Sequence, residues 1–292
     1  MLKIKVYAKI NLSLDITGKR EDGYHLLDSV FSSVSLYDVI TFEKRKDSEV
    51  EIKYVDGRKY EKDIAKKAGE IIVKNYGLSG VNVLIEKNIP EKSGVGGSSA
   101  DAAGVIYGIC YLNGLDIEDI LDEDIMSVGS DVKFMLYGGT RRVLGVGEEI
   151  STPIEHKKMD FLLLTDQFGV DTAKSYKTYS YGYNRFNNQK LVKKLLSEDT
   201  IGASEYFSNA LYDSSSKLNK LIDEKIFLLE KVGGKAFMTG SGSGVVGFFD
   251  SEEKAKTAKK ELAELNNGKF GVFYLNNTNK GIEILDCEVV YK

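Results

Sequence analysis

Residues Pro90 to Ala103 read P-E-K-S-G-V-G-G-S-S-A-D-A-A, small residues that lead straight into an alanine-rich segment. Side chains this small let backbone N–H groups converge on an anion. A helix opening at the same point adds unsatisfied donors and the positive end of its dipole. The chemistry implied is phosphate binding at Gly94, Gly96, Gly97, Ser98 and Ser99. No G-x-x-x-x-G-K-[ST] occurs, which excludes a P-loop NTPase of the usual kind. A second glycine-rich run, Met238 to Gly244, contains Thr239, Gly240, Ser241, Gly242 and Ser243. Gly242, Gly244 and Gly247 satisfy G-x-G-x-x-G, but Val245 to Phe249 reads as a strand where a dinucleotide fingerprint needs a helix. What remains is a turn between strands, either a structural hairpin or a backbone surface that approaches a ligand. Lys9, in Ala8-Lys9-Ile10-Asn11-Leu12, is on its own an ordinary solvated strand lysine. Asp131, after Gly129-Ser130 and before Val132-Lys133-Phe134-Met135, suits a helix N-cap.

The elements that must position these groups follow from periodicity. Val83-Leu84-Ile85 is strand-like, so the order is strand, glycine loop, helix. Ala102, Val105, Ile106, Ile109 and Cys110 recur at helical spacing and mark one buried face, with Cys110 a small buried thiol. Ile10, Leu12, Leu14 and Ile16 alternate with polar residues as in a half-buried strand, and Val30-Phe31 and Val39 to Phe42 are further strands. The patterns predict helices over Tyr60–Tyr76, closed by Gly77, and over Ile117–Met126. Ser151-Thr152-Pro153 predicts a domain boundary. Beyond it, Phe161 to Leu164, Ala236–Thr239, Val245–Phe249 and Phe270–Tyr274 read as strands, and Thr172–Tyr179, Leu191–Leu196, Ser215–Val232 and Glu252–Leu265 as helices. Two α+β layers, one per half, fit this order.

Composition removes several classes. A net charge of −4, with Lys interleaved among Glu and Asp, gives no basis for nucleic-acid binding. Two cysteines and two histidines leave little for a Cys/His metal site. The N-terminal residues lack a signal-peptide core, and no apolar stretch approaches the roughly 18 residues of a membrane span. The expectation is a cytoplasmic protein, monomer or homodimer, with no membrane partner.

Together, the lysine-bearing strand, the phosphate loop and the C-terminal Gly/Ser-rich loop resemble the GHMP kinase superfamily. The resemblance covers essentially the whole chain. It implies an α+β, two-domain architecture: a ribosomal-S5-like domain over residues 1–153 and a ferredoxin-like domain over 154–292. It implies ATP held by Pro90, Ser93, Gly94, Val95, Gly96, Gly97, Ser98, Ser99 and Ala100, with Mg²⁺ and Ser99 as a candidate contact to it. Asp131 becomes base or orienting group for an alcohol, and Lys9 polarises that hydroxyl or steadies developing negative charge. Gly18-Lys19-Arg20-Glu21-Asp22-Gly23-Tyr24-His25 and Ser127 to Val132 resemble members that act on a cytidine diphosphate-linked sugar alcohol. By that resemblance Tyr24 and Tyr176 sandwich cytosine, His25 bonds its edge, and Thr172 lies on the C-terminal side. Asn11 orients Lys9 or touches substrate, and Asn209 lies near the cleft. For Tyr176, core packing of an amphipathic helix is the other reading. The chain departs from the family pattern at Ser98 (Gly), at Lys133 (Pro), at Asp166-Gln167, which lack the customary Pro, and at Asp171 (Ser). Two other readings stay open: a family kinase for another alcohol, such as homoserine or mevalonate, and a non-catalytic nucleotide-binding paralogue.

Overall fold

A computed structural model of the chain describes residues 1–180 and 182–287. The alternating N-terminal segment belongs to β1 (Leu2–Lys19), and the two strand pieces expected after it are one strand, β2 (His25–Lys44). Shifts in register near Tyr7/Ala8, Asn11/Ser13 and Ile16/Gly18 let this long antiparallel pair bend without ending. Then come β3 (Val50–Tyr54), α1 (Ile64–Tyr76), β4 (Val81–Glu86), α2 (Gly97–Asn113), α3 (Asp122–Val128), α4 (Val132–Tyr137), β5 (Thr140–Gly145) and β6 (Glu149–Ile150). The second half runs β7 (Asp160–Thr165), α5 (Thr172–Lys177), α6 (Asn188–Leu196), α7 (Thr200–Ser204), β8 (Ser208–Asn209), α8 (Tyr212–Leu218) and α9 (Leu221–Lys231). It continues with β9 (Lys235–Met238), β10 (Val245–Phe249), α10 (Glu252–Asn266), β11 (Gly271–Asn276) and β12 (Ile282–Cys287).

One sheet has the order β12-β1-β2-β4-β3, with β5 added to β2, β6 to β5 and β8 to β1; the other has the order β11-β7-β10-β9. Strand β12 returns from the second half to pair with β1, Leu2 opposite Cys287. Helix α2 lies close on the first sheet because it turns glycines toward it. A Cβ on Gly104 would meet Val6 Cγ1 at 2.4 Å, and one on Gly108 would meet the Phe42 ring at 2.4 Å. Strand β7 is buried on both faces, with Phe161 and Leu163 in the core shared with the first sheet and Leu162 and Leu164 in the core under α9 and α10. Hence its unbroken apolar run.

Caps correct several helix boundaries. Helix α1 starts at Ile64 rather than Tyr60, because Asp63 accepts the N–H groups of Ala65 and Lys66; Gly77 then ends it at φ 64. The helix expected over Ile117–Met126 is a 3₁₀ turn, Ile117–Asp119, capped by Asp116, and then α3. The helix expected over Ser215–Val232 is broken at Asn219, which is extended (φ −139) and accepts the Leu221 N–H at 3.0 Å. Among the described residues, no helix is long and apolar enough to cross a membrane.

Candidate active site

Helix α2 begins at Gly97, behind an N-cap glycine, Gly96, at φ 77 that supplies no side-chain cap. The free N–H groups of the first turn therefore face outward, available to an external acceptor. Backbone bonds hold the loop in front of the helix from two sides. The Lys9 N–H donates to Val95 O at 3.0 Å, and the Gly244 and Ser243 N–H groups donate to Ser93 O (3.1 Å) and Lys92 O (3.4 Å). The two glycine loops meet backbone to backbone: a Cβ on Gly94 would lie 2.4 Å from Thr239 O, and one on Gly240 2.6 Å from Gly94 O. The Gly/Ser run is the β9–β10 hairpin turn, and the absence of a Cβ at Gly240 and Gly244 lets it seat the phosphate loop. Within the loop, Ser93 Oγ donates to Pro90 O at 2.6 Å, and the buried Ala100 returns its N–H to Gly96 O at 2.9 Å. Ser98 is exposed and Ser99 half-buried. A cleft of about 270 Å³, lined by Tyr60, Lys87, Ile89, Pro90 and the loop through Ser99, opens beside it.

Lys9 is not a solvated edge lysine: it is 3% exposed. Its ammonium donates to Asn11 Oδ1 at 2.7 Å, lies 3.3 Å from Asp131 Oδ2 and stands 4.5 Å from the centre of the Phe31 ring. A buried ammonium needs such partners. Asp131 stands at the N-cap of α4, yet its backbone is helical (φ −86, ψ −13) and its side chain makes no capping bond. Its carboxylate turns to Lys9 instead, with 27% of the side chain accessible against 4% for Lys9. The pair thus has a hidden cation and a reachable anion. Asn11 fixes this arrangement to the Gly/Ser loop: its N–H donates to Thr239 Oγ1 (3.0 Å), its Oδ1 accepts the Gly240 N–H (3.0 Å), and its amide donates to Ser29 Oγ (3.1 Å). Asn209 supports the same loop from β8, donating to Met238 O (2.9 Å) and Gly240 O (2.8 Å).

His25 opens β2, and its ring faces Tyr176 of α5 with centroids 5.3 Å apart and planes inclined by 30°; Tyr179 stands edge-on to His25 at 6.3 Å. Burial pushes the Tyr176 phenol upward in pKa, and the charge of the Asp131 carboxylate adds to it. Burial, with the Lys19 charge, pulls the His25 imidazole below its usual value. Thr172 Oγ1 is 2.7 Å from Ser241 Oγ and joins α5 to the Gly/Ser loop. Tyr24 is 66% exposed, and the ring that faces Tyr176 is that of its neighbour, His25. Tyr24 belongs to the turn before β2, where its N–H donates to Asp22 Oδ1 at 3.1 Å and its carbonyl accepts the Arg20 N–H at 2.7 Å.

The departures from the family pattern sort themselves by place. Lys133 donates to Asp122 Oδ2 (2.6 Å) and Glu148 O (2.9 Å), and Asp171 caps α5 through the Lys174 N–H at 3.0 Å. Both serve local structure. Buried Cys110 has its thiol pushed up to about 12 by desolvation and is no nucleophile. One cluster had no sequence signal: Lys87, at the edge of the cleft, is buried between Asp38 and Asp101 and donates to both. Among the described residues, no group of three or more His, Cys, Asp or Glu could hold a metal.

Comparison with known proteins agrees with this geometry. Residues 63–139 match the GHMP kinases N terminal domain, and residues 191–268 match the GHMP kinases C terminal domain. The chain is 37% identical to a 4-diphosphocytidyl-2-C-methyl-D-erythritol kinase of Caldanaerobacter subterraneus, over 97% of this chain and 99% of that protein. It is 34% identical to one of Clostridioides difficile, over 97% of each. A crystal structure of 4-(cytidine 5'-diphospho)-2C-methyl-D-erythritol kinase superposes with a TM-score of 0.78 at 26% identity, over 94% of this chain and 98% of that one. A homoserine kinase from Cytophaga hutchinsonii shares the fold, with a TM-score of 0.73 at 17% identity over 97% of each chain. With both family regions matched in order, and with such relatives spanning nearly all of its length, the chain belongs to the GHMP kinase family.

Proposed function

We propose that this protein transfers the γ-phosphate of ATP to the 2-hydroxyl of 4-diphosphocytidyl-2-C-methyl-D-erythritol, a step of the non-mevalonate route to isoprenoid precursors. The relatives named for that reaction support it. Within this chain, the observation that carries it is that the His25–Tyr176 ring pair and the Lys9–Asp131 pair are tied to one Gly/Ser loop, α5 through the Thr172–Ser241 hydroxyl contact and Lys9 through Asn11. An aromatic platform next to a phosphoryl-transfer centre suits a nucleoside-bearing acceptor; homoserine and mevalonate have no base to place there.

In this reading, residues 1–153 carry Lys9, the phosphate loop and Asp131, and residues 154–292 bring Tyr176 and the Gly/Ser loop. The uncapped start of α2, with Gly94 to Ser99, receives the ATP phosphates, and the purine lies in the cleft lined by Tyr60, Ile89 and Pro90. A Mg²⁺ ion bound with ATP would supply charge compensation for the phosphates, and Ser99 would offer it a hydroxyl. The donor set fits an ion held mainly by ATP and water, since no carboxylate cage stands nearby among the described residues. Asp131, accessible and oriented by Lys9, accepts the hydrogen bond of the substrate hydroxyl and aligns it for attack. Lys9 steadies the charge that builds on that oxygen. Cytosine stacks on Tyr176 and takes its edge contact from the His25 imidazole.

Substituting Tyr176→Ala tests the pocket. Stacking of a base on an aromatic ring is worth about 1–3 kcal/mol, so the acceptor KM is expected to rise about tenfold or more while the ATP KM stays within twofold. An unchanged acceptor KM would place the base elsewhere.

A further inference from the structure

The turn between β7 and α5 begins with a buried charge that phosphoryl transfer does not use. Asp166 is 9% exposed and Lys225, on α9, is 0% exposed; their carboxylate and ammonium are directly paired. The other carboxylate oxygen accepts the N–H groups of Phe168 (2.8 Å) and Gly169 (3.2 Å). Asn219 donates to Gly169 O at 3.2 Å from the break between α8 and α9. The turn is thereby fixed along its length from the C-terminal side.

Its other side touches both glycine loops. At Gly169 (φ 66), a Cβ would lie 2.5 Å from Lys92 Cβ in the phosphate loop. At Gly242, a Cβ would lie 3.3 Å from Val170 Cγ2. Directly after the turn, Asp171 caps α5, the helix that carries Thr172 and Tyr176. One ion pair therefore stands where the phosphate loop, the Gly/Ser loop and the acceptor helix meet.

A pair so deeply buried is a poor source of stability, since apolar side chains of similar volume serve a core as well or better. Its value lies in the direction it imposes. We propose that Asp166 and Lys225 form a positioning pair that sets α5, and with it the acceptor pocket, in register with the phosphate loop. The inference rests on the assignment of α5 to the acceptor.

The test measures KM for 4-diphosphocytidyl-2-C-methyl-D-erythritol and for ATP, with kcat and melting temperature, in three proteins: wild type, Lys225→Met, and the double variant Asp166→Leu with Lys225→Met. The single variant leaves a buried carboxylate unpaired and is expected to lose stability. The double variant buries no charge but deprives the Phe168 and Gly169 N–H groups of their acceptor, so it is expected to fold and to melt below wild type. The pair as a positioning device predicts that the double variant raises the acceptor KM about tenfold, with kcat and the ATP KM within about twofold. Lys225→Met, where it folds, is expected to shift in the same sense. A folded double variant with an unchanged acceptor KM would overturn the inference, as would an equal rise in both KM values. Failure of the double variant to fold would overturn it too, by showing that the pair serves the core. A wild-type protein inactive toward this acceptor would instead refute the assignment of α5, and the inference with it, before any substitution is compared.

Discussion

Substituting Gly94→Ala tests whether the contact between the two glycine loops matters to the reaction. Gly94 has φ 72, a left-handed backbone that costs a residue bearing Cβ about 1–2 kcal/mol. The added methyl would stand 2.4 Å from Thr239 O and 3.3 Å from Gly242 O, both backbone atoms that no rotamer change can move. Ordinary contact begins at 3.4 Å, so the phosphate loop and the Gly/Ser loop must part by about 1 Å. Displacements of about 1 Å in a phosphoryl-transfer site lower rates about 100-fold, or about 2.7 kcal/mol in the barrier. Gly77→Ala is the matched control. At φ 64 it carries a similar backbone cost, yet nothing lies within 4 Å of its Cβ. Both variants should melt a few degrees lower, at about 2–4 °C per kcal/mol. Only Gly94→Ala should lose kcat/KM about 100-fold in steady-state ADP release. If both variants keep wild-type kcat/KM, the seating of one loop on the other is irrelevant to turnover.

Other outcomes follow from single groups. Asp131→Asn is expected to lower kcat by about 10²–10⁴ in a protein that still folds, with a lower melting temperature because buried Lys9 loses its counter-charge; near-normal kcat would remove Asp131 from the chemistry. Burial and Lys19 hold His25 below the usual imidazole pKa, so it stays neutral until the pH falls beneath about 6.5. The acceptor KM should then be flat from pH 8 down to about 6.5 and rise below it, an effect absent in His25→Gln; a rise already above pH 7 would contradict a neutral imidazole at the base. In the native protein a thiol alkylating reagent should modify half-buried Cys287 and spare Cys110, which mass spectrometry of the peptides resolves.

What the sequence made legible was local. Glycines at a loop-to-helix junction and a helical apolar stripe located α2 and its open N-terminus, because both patterns reside within a few turns of chain. Helix ends were less legible, since Asp63, Asp116 and Asn219 act through single capping bonds that periodicity does not register. Asp131 shows the same limit from the other side. Its position next to a helix start suggests a cap, while its backbone is already helical and its carboxylate belongs to Lys9, far away in sequence. Tyr24 and His25 were both legible as candidates, but that the His25 ring is the one facing Tyr176 depends on where the turn ends and β2 begins. The buried sets Asp38–Lys87–Asp101 and Asp166–Lys225 were invisible, because a charged residue reads as solvated until the fold supplies its partner.

The most direct test offers the purified protein ATP and Mg²⁺ with 4-diphosphocytidyl-2-C-methyl-D-erythritol, mevalonate and homoserine in parallel, and follows ADP release. The account predicts turnover on the cytidyl acceptor alone. Turnover on mevalonate or homoserine instead, or ATP binding with no turnover on any of the three, would contradict it.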